Sequence, residues 1–164
     1  MPPESYPMER ITVERATEAD AEGITELVRQ ARINPTSLDW HNFVVARDAK
    51  RGLVGCGQVR NAPLTRGREL KSLVVLPGYR DGRLSRAMLR KLIEGERGVI
   101  WGTCVATLAP YYVRFGCEVV PKREVPLYYR VMGKVAARVH RKRTGRELPE
   151  MVVLRWHTPD APQE

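Results

Sequence analysis

The stretch VVLPGYRDGRLSRAML, Val74 to Leu89, sets an apolar run, a turn and a helical repeat in direct succession. The apolar run ends at Pro77, a Gly-Tyr-Arg-Asp-Gly turn follows, and Leu84, Met88 and Leu92 recur at helical spacing. A loop that delivers several backbone N–H groups to a helix start is built to receive an anion. Glycines that allow close approach are scarce here, because Gly82 is followed by Arg83, Leu84 and Ser85. Two readings stand: a cradle that holds phosphate, or a plain strand-to-helix connection. The cradle depends on backbone N–H groups and the positive end of the helix dipole, which larger side chains leave in place. Ser85 adds a hydroxyl that can donate, and the bulky Arg83 can point outward, where its charge would help. Asp81 is the awkward member, since its carboxylate repels phosphate unless it turns away as an N-cap.

Metal and disulfide chemistry find little support in the residue pattern. Cys56, Cys104 and Cys117 are odd in number, widely spaced and set in apolar segments, which predicts buried, reduced thiols. His41, His140 and His157 form no pair with a Cys or carboxylate at metal-ligand spacing. No metal is expected. The net charge of +9 is concentrated, with nine Lys or Arg against Glu124 alone between Lys122 and Arg146. A basic local segment therefore needs explaining, rather than a basic protein.

The elements that must position these residues follow from periodicity. The 164 residues fit one domain, and 43% hydrophobic with 29% charged residues is the balance of a soluble globular chain. No apolar run reaches the roughly 20 residues that span a bilayer. The N-terminus lacks a signal-peptide pattern, so a cytoplasmic protein is expected. The chain divides into a loose Pro-rich segment over 1–10, a domain over 11–157 and a tail over 158–164. Ile11 and Val13 alternate as in a strand. Thr17 to Asp20 resembles a capping box that opens a helix to about Arg32. Phe43–Ala46 and Leu53–Val59 read as a hairpin, and Glu69–Val75 as the strand entering the loop. Val99–Cys104 is a further strand, Leu108–Phe115 a short helix, and Glu118–Val120 a brief strand. A basic helix over 126–142 carries the apolar stripe Leu127, Tyr128, Val131, Met132, Val135 and Val139, and Met151–Leu154 is the last strand. The fold class is mixed α/β in a single domain, with hairpins first and crossovers later.

This order of elements, with three passages, resembles the GCN5-related N-acetyltransferase (GNAT) superfamily. Glu69–Arg80 is similar to that family's fourth strand running into its acetyl-CoA loop. Arg80-Asp-Gly-Arg-Leu-Ser85 is set against the pattern Gln/Arg-x-x-Gly-x-Gly/Ala, with Arg80 matching and Arg83 and Ser85 replacing the glycines. Leu108–Gly116 is similar to a helix that ends in an aromatic-Tyr-x-x-x-Gly signature. The Asn often found before that Tyr is not evident, with Val105 and Thr107 nearby instead.

The resemblance implies an acyl-CoA N-acyltransferase fold, extended by the basic helix, and acetyl transfer from acetyl-CoA to a primary amine of a small molecule or protein. It places Arg80, Asp81, Gly82, Arg83, Leu84 and Ser85 at the pyrophosphate. It sets the backbone of Leu73, Val74 and Val75 along the pantetheine arm, with the Val75 N–H polarising the thioester oxygen. Tyr112 takes the position of the acid for the leaving thiolate, although its residue type alone suggests a packing role. Glu69 matches a strand carboxylate that serves some members as base, and is equally a plain charged residue at a strand start. Trp40 is a candidate wall of the acceptor site or simply core. A cationic acceptor would draw on Asp39, Glu69 or Glu118.

Two rivals remain open. A catalytically idle acyl-CoA-binding or regulatory module is suggested by Arg83 and Ser85, and a nucleic-acid-associated protein by the basic segment. For the basic helix itself, the favoured reading is a solvated face over a stripe packed on the domain. Contact with an acidic partner, nucleic acid or membrane surface, and a homodimer joined through the stripe, are the others.

Overall fold

The structure, a computed structural model, describes residues 6–158. Backbone contacts divide these into two compact units, one of residues 6–60 with 70–96, the other of 61–69 with 97–158.

In the first unit, β1 (Ile11–Arg15), β2 (Phe43–Asp48), β3 (Gly52–Asn61) and β4 (Arg68–Val75) follow in that sheet order. β1 to β3 are antiparallel, and the expected hairpin pairs Phe43 with Gln58 and Asp48 with Gly52. Phe43, Val44, Val45 and Ala46 are all fully buried, as strands covered on both faces must be. Helix α1 (Ala21–Gln30) sets Ile24, Leu27 and Val28 against Phe43, Val45, Cys56 and Val74. Helix α2 (Arg83–Ile93) sets Leu84 and Met88 against Ala46, Val54, Val75, Tyr79 and Tyr6. Gly55 and Gly57 let α2 lie close to the sheet. A Cβ at Gly55 would come within 3.0 Å of Met88 Sδ, and one at Gly57 within 3.0 Å of Leu92 Cδ1.

The capping box forms: Asp20 accepts the Thr17 N–H at 2.9 Å, and its second oxygen takes Arg47 at 2.7 Å. The helix expected to reach Arg32 is shorter. It begins after a 3-10 turn at Glu18–Asp20 and stops at Gln30, with Arg32 in a left-handed conformation. The loose segment expected over 1–10 is corrected for residues 6–10; residues 1–5 lie outside the described ones. Tyr6 is buried, and Arg10 makes a two-pronged pair with Asp48 at 2.7 and 2.8 Å.

The second unit holds the first residues of β4, then β5 (Val99–Val105), β7 (Met151–His157) and β6 (Glu118–Val119) in sheet order. β4 runs parallel to β5 at Arg68 and Glu69, and β7 is antiparallel to both of its neighbours. Helix α3 (Ala109–Val113) follows β5, and α4 (Leu127–Thr144) precedes β7. A core of Ala62, Trp101, Val120 and Tyr129 joins them. Thr158, expected to begin a tail, is buried and bonds the Gly98 carbonyl through its N–H and its hydroxyl; residues 159–164 lie outside the described ones.

Gly67 and Gly133 give opposite expectations. Gly67 has φ +109°, and a Cβ there would lie 2.5 Å from the Val99 carbonyl oxygen. Gly67→Ala is expected to destabilise the protein by about 2–3 kcal/mol. Gly133 lies within α4 with nothing near its Cβ position, so Gly133→Ala is expected to stabilise by about 0.5–1 kcal/mol. Urea denaturation of the two variants measures both.

Candidate active site

In the first unit, the loop after β4 is held from below by a tyrosine. Tyr79 is buried and donates its hydroxyl to Asp48 Oδ2 at 2.6 Å. Asp48 is nearly inaccessible and also accepts Arg10 and the Lys50 N–H. The Arg10 guanidinium holds the Asp48 carboxyl well below the usual carboxylate range, with the Tyr79 and Lys50 bonds adding to it. Burial, then the Asp48 charge, push the Tyr79 phenol up. One buried carboxylate therefore anchors the N-terminal segment, the hairpin turn and the loop.

Gly82 (φ +91°) turns the chain into α2, whose first regular bond runs from the Arg86 N–H to the Gly82 carbonyl at 3.1 Å. A left-handed residue at that point favours glycine. The next N–H, that of Arg83, is taken by Asp81 Oδ1 at 3.0 Å. The Arg83 guanidinium bonds Asp81 Oδ2 at 2.7 Å and the Tyr6 carbonyl at 3.0 Å, and lies 4.8 Å from the Tyr6 ring centroid. Tyr6 completes the cluster by donating its hydroxyl to Asp81 Oδ1 at 3.0 Å, with the Leu84 N–H toward the same phenol oxygen. Burial, then Asp81, push the Tyr6 phenol up to about 12. Burial would raise Asp81, but its bonds from Arg83 and Tyr6 outweigh that and hold it low. Arg83 turns its guanidinium to Asp81 and Tyr6, and Asp81 caps the Arg83 N–H at the start of α2.

The remaining loop positions are equally specific. Arg80 donates its Nε to the Val75 carbonyl at 2.8 Å, which folds the loop back on the end of β4. Val74 and Val75 are buried, Leu73 is half-buried, and Leu84 and Ser85 are buried in the first turn of α2. Upstream, Ser72 holds a positive φ of 56° inside β4, a conformation rare outside glycine that interrupts a regular strand. Its hydroxyl accepts Gln58 Nε2 at 3.3 Å, while Gln58 Oε1 is buried without a hydrogen-bond partner. Sequence reading missed Ser72 and Gln58, since a strand-like RELKSLVV gives no sign of a left-handed residue. It missed Tyr6 and Asp48 as well, whose roles depend on contacts far apart in the chain.

Trp40 is half-buried, packs against the α1 core and stacks on His41 at 3.7 Å between centroids. His41 pairs with Asp39 at 2.6 Å.

The second unit carries Tyr112 and Glu69. Tyr112 sits on α3, half-buried, edge-on to Tyr111 and to Trp156 at 5.4 and 6.3 Å between centroids. Trp156 Nε1 donates to the Phe115 carbonyl at 3.3 Å and fixes the end of this segment. Burial, followed by Cys104, Tyr111 and Cys117, pushes the Tyr112 phenol up to about 12. It stays protonated at neutral pH. Cys104 and Cys117 are free, buried thiols also pushed up by burial, as is Cys56 in the first unit. Glu69 is buried in β4 opposite Trp101 of β5. Glu118 is paired with Arg155 at 2.7 Å and contacts His157 at 3.0 Å, and Asp39 contacts the His41 ring at 2.6 Å. Among the described residues, no group of three or more His, Cys, Asp or Glu is placed to hold a metal.

Comparison with solved structures places this arrangement. N-acetylglutamate synthase from Neisseria gonorrhoeae, solved with coenzyme A and N-acetyl-glutamate, matches 89% of this chain with a TM-score of 0.67 at 14% identity. The chain spans 34% of that enzyme's length. Rv2747 from Mycobacterium tuberculosis, in complex with CoA, matches 90% of this chain and 99% of its own, with a TM-score of 0.64 at 17% identity. The yncA protein of Salmonella typhimurium, solved with its cofactor acetyl-CoA, matches 94% and 97%, with a TM-score of 0.62 at 16% identity. The fold is that of the GCN5-related N-acetyltransferases. No protein-family model and no curated protein sequence matches the chain. The GCN5-related fold accounts for the order of strand, loop, α2, β5 and α3.

Asp48 provides a pH test of the loop anchor. Its carboxyl is held low in the folded protein, so its contribution is present above the ordinary carboxylate pKa of about 3.9 and lost as pH falls toward its folded value. Wild type is therefore expected to lose more stability between pH 7 and pH 3 than Asp48→Asn, which lacks that ionisation. Denaturation curves of both proteins across this range measure the difference.

Proposed function

We propose that the protein is an acetyl-CoA-dependent N-acetyltransferase acting on a primary amine of a small molecule or protein. One observation supports the reading: an interrupted strand end, a loop tied back by Arg80 and a helix start at Arg83 follow in direct succession within a GCN5-related fold. The residues present fit the nucleotide with one conflict. Arg80, Arg83 and Arg86 supply positive charge around the start of α2, and the helix dipole adds to it. Asp81 opposes it, because its carboxylate takes the Arg83 N–H that a phosphate oxygen would use. Binding therefore involves withdrawal of Asp81, which also releases the Arg83 guanidinium.

Acetyl-CoA supplies an activated acetyl thioester when bound. In this reading the loop from Arg80 to Ser85 holds the phosphates, and the backbone of Leu73, Val74 and Val75 orients the pantetheine arm. Tyr112 keeps its proton on the phenol oxygen for delivery to the leaving sulfur, and Glu69 is the proposed base.

A second reading, an idle acyl-CoA-binding module, is favoured by the same Asp81 contact. The two separate on three proteins. Tyr112→Phe is expected to lower kcat by about 100-fold or more with little change in acetyl-CoA affinity. Asp81→Ala is expected to tighten acetyl-CoA binding by about tenfold, since a charge-assisted contact no longer competes. Calorimetric titration reads affinity, and release of free thiol across a panel of amines reads turnover. Binding without Tyr112-dependent turnover on any amine supports the idle module, and no binding by wild type or Asp81→Ala contradicts both readings.

A further inference from the structure

Helix α4 was expected to pack its apolar stripe on the domain, and it does not. Of its 18 residues, Tyr129 is the buried one. Leu127, Val131 and Val139 are 67%, 50% and 47% exposed, and Met132 and Val135 are exposed as well. The side turned to the second unit is instead the small and aromatic one, with Tyr129 in the Trp101 core and Ala137 and His140 half-buried. The helix was read in the correct place, but its orientation is reversed, because a bulky aromatic at Tyr129 fills the core better than a row of valines.

The exposed stripe repeats every fourth residue from Leu127 to Val139, a length of about 18 Å. Arg130, Lys134, Arg138 and Arg141 run in a row beside it, and Lys142 extends it toward the C-terminal end. Glu147 is the nearest acid, 3.6 Å from Arg141 in an exposed pair. We propose that α4 is the docking surface for an anionic bilayer, lying along the membrane with its valine stripe among the headgroups and its cation row against lipid phosphates. An apolar row bordered by Lys and Arg is the pattern of interfacial helices, whose long side chains reach the headgroups while the row is covered. Nucleic acid would satisfy the cations and leave the stripe in water. A second copy packed stripe to stripe would bring two cation rows together with one acid each. A protein partner would want a cleft or an aromatic anchor, whereas this row is aliphatic and shallow, as a deformable lipid surface tolerates. Among the described residues no helix is long and apolar enough to cross the membrane, so the association is peripheral.

Co-sedimentation of the full chain with vesicles tests this. Wild type is expected to bind vesicles containing phosphatidylglycerol and not pure phosphatidylcholine. Neutralising Arg138, Arg141 and Lys142 to Gln is expected to weaken binding by about 100-fold, and Val135→Asp by at least tenfold. These side chains are exposed, and unchanged circular dichroism checks that the fold persists. The proposal is overturned if wild type binds neither vesicle or both equally, or if Val135→Asp binds like wild type. It is also overturned if light scattering finds a dimer that Val135→Asp separates. Binding to duplex DNA or polyglutamate without vesicle binding assigns the helix to a polyanion and overturns it too.

Discussion

The first N–H groups of α2 lie outside the helix's own hydrogen-bond ladder and attract negative charge, and in this chain the Asp81 carboxylate meets that demand. The consequences spread through the first unit. An anion at the helix start needs a counter-charge when no ligand is bound, and Arg83 provides it from two residues away. Arg83 then reaches the Tyr6 carbonyl and lies against the Tyr6 ring, which brings the N-terminal segment onto the loop. A second carboxylate, Asp48, fixes the same segment through Arg10 and the same loop through Tyr79. Two acids, Asp48 buried and Asp81 exposed, thus organise the region around the start of α2, each balanced by one arginine and one tyrosine.

This arrangement explains how the loop departs from a glycine-rich cradle while keeping its path. Glycine at the position of Arg83 would take from Asp81 its guanidinium and from Tyr6 the cation on its carbonyl and ring. A residue with a long, flat, charged side chain does three things there: it neutralises the acid, caps a carbonyl and packs on an aromatic ring. The backbone keeps its left-handed turn at Gly82, the one place in the loop's entry to α2 where glycine is required.

Much of the fold was legible because its signals are local. The apolar run Phe43–Ala46, the turn at Asp48–Gly52 and the recurrence of Leu84, Met88 and Leu92 each depend on a few adjacent residues, and they yielded the hairpin and α2. The capping box at Thr17 and Asp20 formed as read. Details that depend on distant partners were not legible. Tyr6 belongs to a Pro-rich stretch that reads as loose, and only Asp81, 75 positions away, shows why it is held. The left-handed Ser72 is invisible in a strand-forming sequence. The face of α4 was misjudged because periodicity reports which residues share a stripe, not which stripe meets the core. Tyr129, set against Trp101 at 6.2 Å between ring centroids, decides that.

The most direct measurement is an NMR titration of acetyl-CoA that follows the backbone amides of Arg83, Leu84 and Ser85. If the start of α2 receives the nucleotide phosphates, these amides shift in a saturable way, and Tyr6 and Asp81 shift with them as the internal contact is released. Amides of α2 that remain unmoved at saturating acetyl-CoA, with Asp81 still on the Arg83 N–H, would contradict the account.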